Sequence, residues 1–180
     1  MAFEYQSFAN KKLMRPESLE SVTADENFVP ECGRGLMLWG SRHYVRAMVR
    51  QQAMPEKVGR AFDKPLHRRL FGAVERVWEI LLGATSERYI LHDPLSDYLS
   101  LHEQLVMLEI DSLQSSNYVE FGASFAAVLP ETALRAIEPE FKSLAKLVNV
   151  IDQANAFRAQ MRDRKESAFL APAQENRLLH

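Results

Sequence analysis

The chain has 180 residues, of which 47% are hydrophobic and 26% are charged, and its formal net charge at pH 7 is −2. These fractions are ordinary for a globular domain, and the near-neutral total excludes generic binding of nucleic acid by the whole molecule. No apolar run approaches the roughly 18 residues of a membrane-spanning helix, and the single Cys32 excludes an internal disulfide. We therefore predict one domain in a reducing compartment, the cytoplasm, with no membrane contact.

The amino-acid usage favours helices over strands. Gly is scarce, Leu, Ala, Glu and Arg are common, and neither an alternating strand pattern nor an Asn-Gly or Asp-Gly hairpin turn occurs. The predicted fold class is all-α, a single-domain irregular helical bundle of three or four long helices plus short helices. The bundle is assigned to residues 34–166. It follows a partly ordered N-terminal arm at 1–33 and precedes a flexible C-terminal tail at 167–180.

The first half of the bundle contains two predicted long helices. The first runs from about Leu36 to Ala53 and ends before Pro55, which removes a backbone donor; a short helix is predicted over 55–62. The second begins at the N-cap Asp63 and ends near Gly83. The apolar stripe of the first helix contains Met37, Leu38, Tyr44, Val45, Met48 and Val49. The stripe of the second contains Leu66, Leu70, Ala73, Val74, Val77, Trp78 and Leu81.

A third long helix is predicted after a short piece that ends at about Leu91. Asp93-Pro94 is a strong helix start, so the helix is expected to run from there to about Leu113. Its apolar stripe contains Leu95, Leu99, Val106, Ile110 and Leu113.

The last part of the bundle is predicted to alternate short helices with one long one. Asn117 and Glu120 resemble a capping box that opens a small aromatic helix. Pro130 begins another short helix. Pro139 is predicted to break that helix and to begin the final long helix, which runs to about Arg164.

Charge is sorted along the chain. Residues 34–76 contain ten basic and three acidic residues, a formal charge of about +7. Residues 77–140 contain two basic and eleven acidic residues, a formal charge of about −9. The near-neutral total therefore hides two opposite local fields, and local fields rather than net charge attract partners and orient assembly.

A polar ridge on the first helix is the leading candidate binding site. An indole among guanidinium groups suits a planar or anionic ligand or an acidic protein surface, through stacking and charge-assisted hydrogen bonds. Arg68 and Arg69 form a secondary basic patch on the next helix. The ridge residues are Trp39, Arg42, His43, Arg46 and Arg50, which lie on one side of the helix, opposite Met37 and Met48.

Two other interpretations of this ridge remain open. The arginines can be a solvated face with Trp39 packed under the N-terminal arm, since runs of charge are commonly ordinary surface. Alternatively, the ridge docks on the acidic half of the same chain or of another chain. Nucleic acid is disfavoured because only Trp39 and Tyr44 could stack on bases and because the acidic half repels phosphate.

A second candidate site lies on the third helix, where His102 and Glu109 fall within the apolar stripe. A buried carboxylate needs a partner, and His102, two turns away, could serve only through a third group such as an arginine, a metal ion, His43 or His67. The pair is therefore interpreted either as a metal site or acid–base pair, or as a hydrogen-bonded polar cluster in a helix core.

Other cofactor signatures are weak. The His-x-x-x-His and Glu-x-x-His spacings of zinc proteases and di-iron bundles do not occur. Haem ligation by a single histidine, among His43, His67, His92 and His102, stays open. The Gly33-Arg34-Gly35 turn is too short for a dinucleotide-binding loop. No cofactor is assigned from the sequence.

The function predicted from these patterns is that of a non-enzymatic binding or regulatory module. Its basic helix surface is expected to engage an acidic protein partner or a second copy of the chain, and salt should weaken that association. The alternative is a helical bundle, possibly an enzyme, that binds a metal ion, haem or a small anion through His102 and Glu109.

Overall fold

In the computed structural model, which describes residues 28–84, 91–115 and 121–170, five helices and no strand occur. The predicted all-α class is therefore confirmed for the described part of the chain. Side chains are described as far as Asp163. The helices are α1 (Gly33–Arg50), α2 (Glu56–Ala61), α3 (Pro65–Ala84), α4 (Leu101–Gln114) and α5 (Glu131–Leu170).

Helices α3 and α5 form the most extensive helix pair. The apolar stripe predicted on α3 is confirmed, because every member except the half-buried Leu66 is fully enclosed. Burial of one such aliphatic or aromatic side chain stabilises the fold by about 1.5–3 kcal/mol. The α5 residues that complete this core are Ile137, Phe141, Leu144, Val148 and Ile151.

Helix α1 is enclosed on most of its circumference from Leu36 to Val45, because α3 and α5 cover one side and the segment before α4 covers the other. The helix ends at Arg50 rather than at Ala53, with Gln51 in the left-handed conformation (φ 51°) as its C-cap. Met48 and Val49, predicted to be core residues, are exposed instead. They lie in the last turn, where α1 runs beyond the helices that cover its middle.

Gly33 allows α1 to begin directly against α5. A Cβ atom at this position would lie 2.6 Å from the carbonyl oxygen of Val148, and the Gly33 amide donates to the Asp152 carboxylate at 2.6 Å. We expect Gly33→Ala to lower the free energy of unfolding by about 1–3 kcal/mol, because the two backbones must separate. Gly83→Ala is the control for chemical denaturation. A Cβ atom there meets nothing within 4 Å, so equal destabilisation by both variants would contradict the explanation.

Helix α4 begins later than Asp93-Pro94 predicts, and the prediction of a helix from that point is wrong. Ser100 and Glu103 form a capping box, in which the Ser100 hydroxyl accepts from the Glu103 amide and the Glu103 carboxylate accepts from the Ser100 amide. The Asp93 carboxylate accepts from the Leu95 amide and the Asp93 carbonyl from the Ser96 amide, which makes a single turn. Residues 96–99 therefore stay outside any helix, and their carbonyl groups remain open to other donors.

Pro139 does not break α5, contrary to the prediction. Its exposed ring lies on the solvent side of a helix of 40 residues, where water can bind the carbonyl group that loses its amide partner. Ile137 and Phe141, on either side, are fully buried and hold both halves of the helix against the core. Helix α5 ends at Leu170, four residues beyond the predicted boundary of the bundle at 166.

Several sequence predictions fall at or beyond the edge of the description. Four predictions lie wholly or mostly outside the described residues: the N-terminal arm up to residue 27, the short piece before Leu91, the capping box at Asn117 and the C-terminal tail from residue 171. Residues 167–170, predicted to belong to that tail, are helical. Residues 121–128 are described and form successive turns instead of the predicted small helix. Among the described helices, none combines the length and the apolar character that crossing a membrane requires.

Candidate functional site

The polar ridge of α1 is divided between the interior and the surface. Trp39, Arg42 and His43 are 2%, 3% and 6% exposed, so the prediction of one exposed basic surface is wrong for these three residues. Arg46 is partly exposed and Arg50 is exposed at the end of the helix. The cost of burying the Arg42 charge is offset because a carboxylate of another helix pairs with it.

Arg42 and Glu103 form a buried, two-point ion pair. The Arg42 Nε and Nη2 atoms donate to the two Glu103 carboxylate oxygens at 2.7 and 3.1 Å, and both side chains are almost fully enclosed. The Arg42 guanidinium also donates to the carbonyl oxygens of Ser96 and Tyr98 at 2.7 and 2.6 Å. This one guanidinium therefore ties α1 both to α4 and to the segment that precedes α4.

Glu103 stays ionised in this environment. Burial pushes its pKa up, but the hydrogen bond from Arg42, the Ser100 amide, the positive charge of Arg42 and the His92 amide together lower the pKa below its ordinary value. Its oxygens accept from three parts of the chain, which is the usual way for a buried carboxylate to remain charged. The pair is thus a structural element, in which each nitrogen of the guanidinium and each oxygen of the carboxylate is hydrogen-bonded within the chain.

Trp39 and His43 form a second buried feature on α1. Their ring centroids are 4.5 Å apart in an edge-on arrangement, and neither the indole Nε1 nor the His43 Nε2 has a hydrogen-bond partner among the described residues. Burial, reinforced by the positive charges of Lys57 and Arg46 against the opposing charge of Asp93, lowers the pKa of His43 to about 4. The imidazole is therefore neutral at pH 7, which suits an apolar site better than an imidazolium would.

The two charged halves of the sequence pair with each other inside one chain. Four cations of the basic stretch reach carboxylates of the acidic stretch, so much of the local field is cancelled within the fold. This is the interpretation in which the ridge docks on the acidic half of its own chain, and it is the arrangement found for Arg42 and Arg46. The four pairs are Arg34–Asp111, Arg42–Glu103, Arg46–Asp93 and Arg76–Glu140.

His102 and Glu109 lie two turns apart on α4 and differ in burial. Glu109 is buried, and its two carboxylate oxygens accept from the backbone amides of Gly122 and Ser124 at 3.3 Å, which fixes the turns that precede α5. His102 is only half-buried and lies about 10 Å along the helix axis from Glu109. This geometry supports a buried, hydrogen-bonded carboxylate at Glu109 and does not bring His102 into the same cluster. No group of three or more potential metal-ligating side chains occurs within the described ranges.

An exposed surface remains at the last turn of α1, formed by Met48, Val49 and Arg50, which we name the α1 tip. Met48 and Val49 are 52% and 70% exposed, and no described acidic side chain pairs with Arg50. Beside the tip is a shallow groove. The groove is lined by Tyr44, Ala47, Met48, Gln51, Gln52 and Met54.

The secondary basic patch at the start of α3 is exposed. Arg68 pairs with Asp63 at 2.9 Å, and this pair lies in solvent, where it adds little stability. Arg69 has no ion pair with any residue that the structure describes. Arg46 is paired with Asp93, and residues 47–69 contain six basic and two acidic residues, so this stretch keeps a formal charge of about +4.

Two features of this region were not predicted from the sequence, namely the role of Glu103 and the exposure of Met48 and Val49. Glu103 was not singled out, although Ser100 and Glu103 have the Ser-x-x-Glu spacing that signals a capping box. The exposure of Met48 and Val49 carried no sequence signal, because both continue the apolar stripe of α1. Comparison with known proteins adds no assignment, because no family model, no curated protein and no solved structure matches the chain.

Proposed function

We propose that the chain is a non-enzymatic protein-binding module that engages an acidic partner protein through the α1 tip. The observation that carries the proposal is the exposure of Met48 and Val49 beside Arg50, at the end of a helix whose middle is fully enclosed. Methionine adapts to irregular partner surfaces, and an adjoining arginine is a frequent anchor at protein interfaces.

The charge that survives around the tip indicates the sign of the partner. Four cations of the basic stretch are paired with carboxylates of the acidic stretch and contribute little outward field; they are Arg34, Arg42, Arg46 and Arg76. The stretch from residue 47 to Arg69 keeps an excess of positive charge of about +4, which would attract an acidic surface and speed its association. Nucleic acid is a poorer fit, because the one aromatic residue of the groove, Tyr44, is buried and hydrogen-bonded to Glu79.

A regulatory role and a cytoplasmic location belong to the same proposal. The location rests on the single cysteine, since disulfides are rare in reducing compartments. The non-enzymatic character is supported by the buried carboxylates of the two candidate sites. Glu103 and Glu109 are buried and accept hydrogen bonds from within the chain, so both carboxylates are engaged in holding the fold.

Site-specific photo-crosslinking tests the proposal. A photoreactive side chain at position 49 is expected to yield covalent adducts with acidic proteins in an extract of the parent cells. The yield should fall severalfold when Arg50→Glu is added, because the tip then repels an acidic surface. It should also fall between roughly 0.05 and 0.5 M salt, since screening shortens the range of surface charge.

The matched control places the same photoreactive side chain at Asn149, which is exposed on α5 away from the tip. Adducts of equal yield and equal identity at positions 49 and 149 would refute the proposal. Adducts at position 49 that are insensitive to both Arg50→Glu and salt would refute the acidic character of the partner.

A further inference from the structure

The positive charge around the α1 tip exceeds what the described acidic side chains neutralise. The acidic residues of the stretch 47–69 are Glu56 and Asp63, and both already pair with arginines of the same stretch, Arg60 and Arg68. A ligand at this end of the molecule is therefore favoured when it carries negative charge. The cations that form no ion pair with any described residue are Arg50, Lys64 and Arg69.

A partly apolar depression continues from the α1 tip towards α2. The groove beside the tip shares Met54 with a second shallow groove, so the two form one continuous depression, which we name the α1–α2 groove. At its first end the Tyr44 hydroxyl donates to Glu79, so the negative charge of a ligand fits better towards α2. A Cβ atom at Gly59 would meet nothing within 4 Å, which leaves the α2 end open. The second groove is lined by Met54, Pro55, Glu56, Gly59, Arg60 and Asp63.

The sequence that precedes the described residues contains a segment of matching chemistry. Residues 17–26, which we name the acidic segment, contain four carboxylates and neither lysine nor arginine, a formal charge of about −4. This charge is equal and opposite to the excess on residues 47–69. The segment also contains Leu19 and Val22, which are apolar. Its carboxylates belong to Glu17, Glu20, Asp25 and Glu26.

The acidic segment is long enough to reach the α1 tip of its own chain. Pro30 lies against the first turn of α1, because a Cβ atom at Gly35 would be 2.9 Å from the Pro30 Cβ atom. Val49 is 14 residues beyond Gly35, or about 21 Å along the helix axis. An extended chain covers about 3.3 Å per residue, so about seven residues span this distance. Counted back from Pro30 they end at residue 23, and residues 17–22 are able to lie at the tip.

We propose that the acidic segment docks on the α1 tip and in the α1–α2 groove of its own chain. Leu19 and Val22 would supply the apolar contact to Met48, and Glu20 would pair with Arg50. A weak contact suffices, because the covalent connection holds the segment at a high effective concentration. The inference deepens the proposed function, and its regulatory consequence rests on that function: an acidic partner protein has to displace the segment from the tip before it binds.

Photo-crosslinking within the purified full chain tests the contact without any partner. A photoreactive side chain at position 49 is expected to form cross-links to residues 17–26, identified by digestion and mass spectrometry, with a yield that does not depend on protein concentration. A mixture of ¹⁵N-labelled and unlabelled chains separates the chain's own segment from that of a second copy. Cross-links that join a labelled to an unlabelled chain, or the absence of cross-links to residues 17–26, would overturn the proposal.

A charge exchange tests the electrostatic basis of the docking. Glu20→Arg and Arg50→Glu should each lower the yield of cross-links within the chain severalfold, because each places like charges together. The double variant Glu20→Arg/Arg50→Glu should recover most of the yield, and a failure to recover would refute the pairing of these two residues. Glu31→Arg is the matched control, because it makes the same change of net charge at an exposed position outside the acidic segment and should leave the yield unchanged.

The competition is tested in an extract of the parent cells. Glu20→Arg should raise severalfold the yield of adducts between position 49 and acidic proteins, because the tip is then free more often. An unchanged yield would refute the competition. Cross-links to residues 17–26 that are absent from the purified chain, together with partner adducts in the extract, would reject the docking of the segment and leave the proposed function standing. The converse result, with the contact present and no partner adducts even for Glu20→Arg, would reject the proposed function and with it the regulatory consequence.

Discussion

Replacing Glu103 by alanine is expected to lower the free energy of unfolding by about 3–5 kcal/mol, which is the usual effect of leaving one charge of a buried ion pair without its partner. The Arg42 guanidinium would keep its hydrogen bonds to Ser96 and Tyr98 but would lose the one carboxylate that it contacts among the described residues. The capping box at the start of α4 would be lost in the same variant. Urea denaturation at pH 7, followed by circular dichroism, measures the change.

Two further variants separate charge from hydrogen bonding. Glu103→Gln removes the charge and keeps one acceptor oxygen, for either the Ser100 amide or the His92 amide, so an intermediate loss is expected. The double variant Arg42→Met/Glu103→Leu should recover most of the stability, because well-packed apolar residues often replace a buried pair without net loss. If Glu103→Ala costs less than about 1 kcal/mol, the pair does not hold α1 to α4 as described.

The double variant Arg42→Met/Glu103→Leu is expected to loosen the segment before α4 even if it restores the overall free energy of unfolding. The carbonyl groups of Ser96 and Tyr98 would lose their donor even where overall stability is restored. Amide hydrogen exchange is therefore expected to speed up in the segment between Leu91 and Ser100 while the core of α3 remains protected. The ion pair then acts mainly by fixing one conformation of this segment.

The helices that could be predicted are those whose own residues determine their environment. The stripe of α3 is apolar at every inward position, so its period alone identifies the buried face, and Pro65 and Gly83 mark its ends. The buried face of α1 could not be predicted in this way. Its polar side is buried as deeply as its apolar side, because Glu103, 61 residues away in sequence, neutralises Arg42. No local pattern reports a partner at that distance.

The errors at helix ends have an equally physical origin. Asp93-Pro94 and Ser100-x-x-Glu103 are both valid signals for the start of a helix. The choice between them depends on Arg42, because it donates to the carbonyl groups of Ser96 and Tyr98, which would bond to backbone amides in a longer helix. Pro139 would end an isolated helix. Within α5 the buried Ile137 and Phe141 outweigh the lost backbone hydrogen bond. Tertiary contacts decide both cases.

Charge is sorted along the sequence, but four of the ten cations in the basic stretch pair with carboxylates of the acidic stretch instead of forming a surface for partners. Arg34, Arg42 and Arg76 bridge to acidic side chains of later helices, so opposite fields on successive segments help to set which helices pack together. What remains for binding is the smaller set of cations near the α1 tip. Exposed apolar side chains, which charge counting ignores, then indicate where contacts with other molecules can form.

Acidification below pH 6.5 is expected to destabilise the fold through His43. Its pKa of about 4 in the folded chain lies below the ordinary value of 6.5. Between pH 4 and pH 6.5, His43 is therefore protonated in the unfolded chain but neutral in the folded chain. Stability is therefore lost as the pH falls from 6.5 towards 4, and this one group accounts for about 2–3 kcal/mol by pH 4.5. Below pH 4.5, protonation of Glu103, whose pKa is also lowered, adds a further loss.

His43→Leu isolates this effect, because it removes the titrating ring and a buried nitrogen that lacks a partner among the described residues. At pH 7 the variant should be about as stable as the parent chain, since an apolar side chain of similar size faces Trp39 without an unsatisfied acceptor. Between pH 6.5 and 4.5 its free energy of unfolding, measured in urea, should change less than that of the parent by about 2–3 kcal/mol. Parallel curves for the two chains would show that His43 is accessible to protons in the folded state, and the enclosed Trp39–His43 contact would have to be rejected.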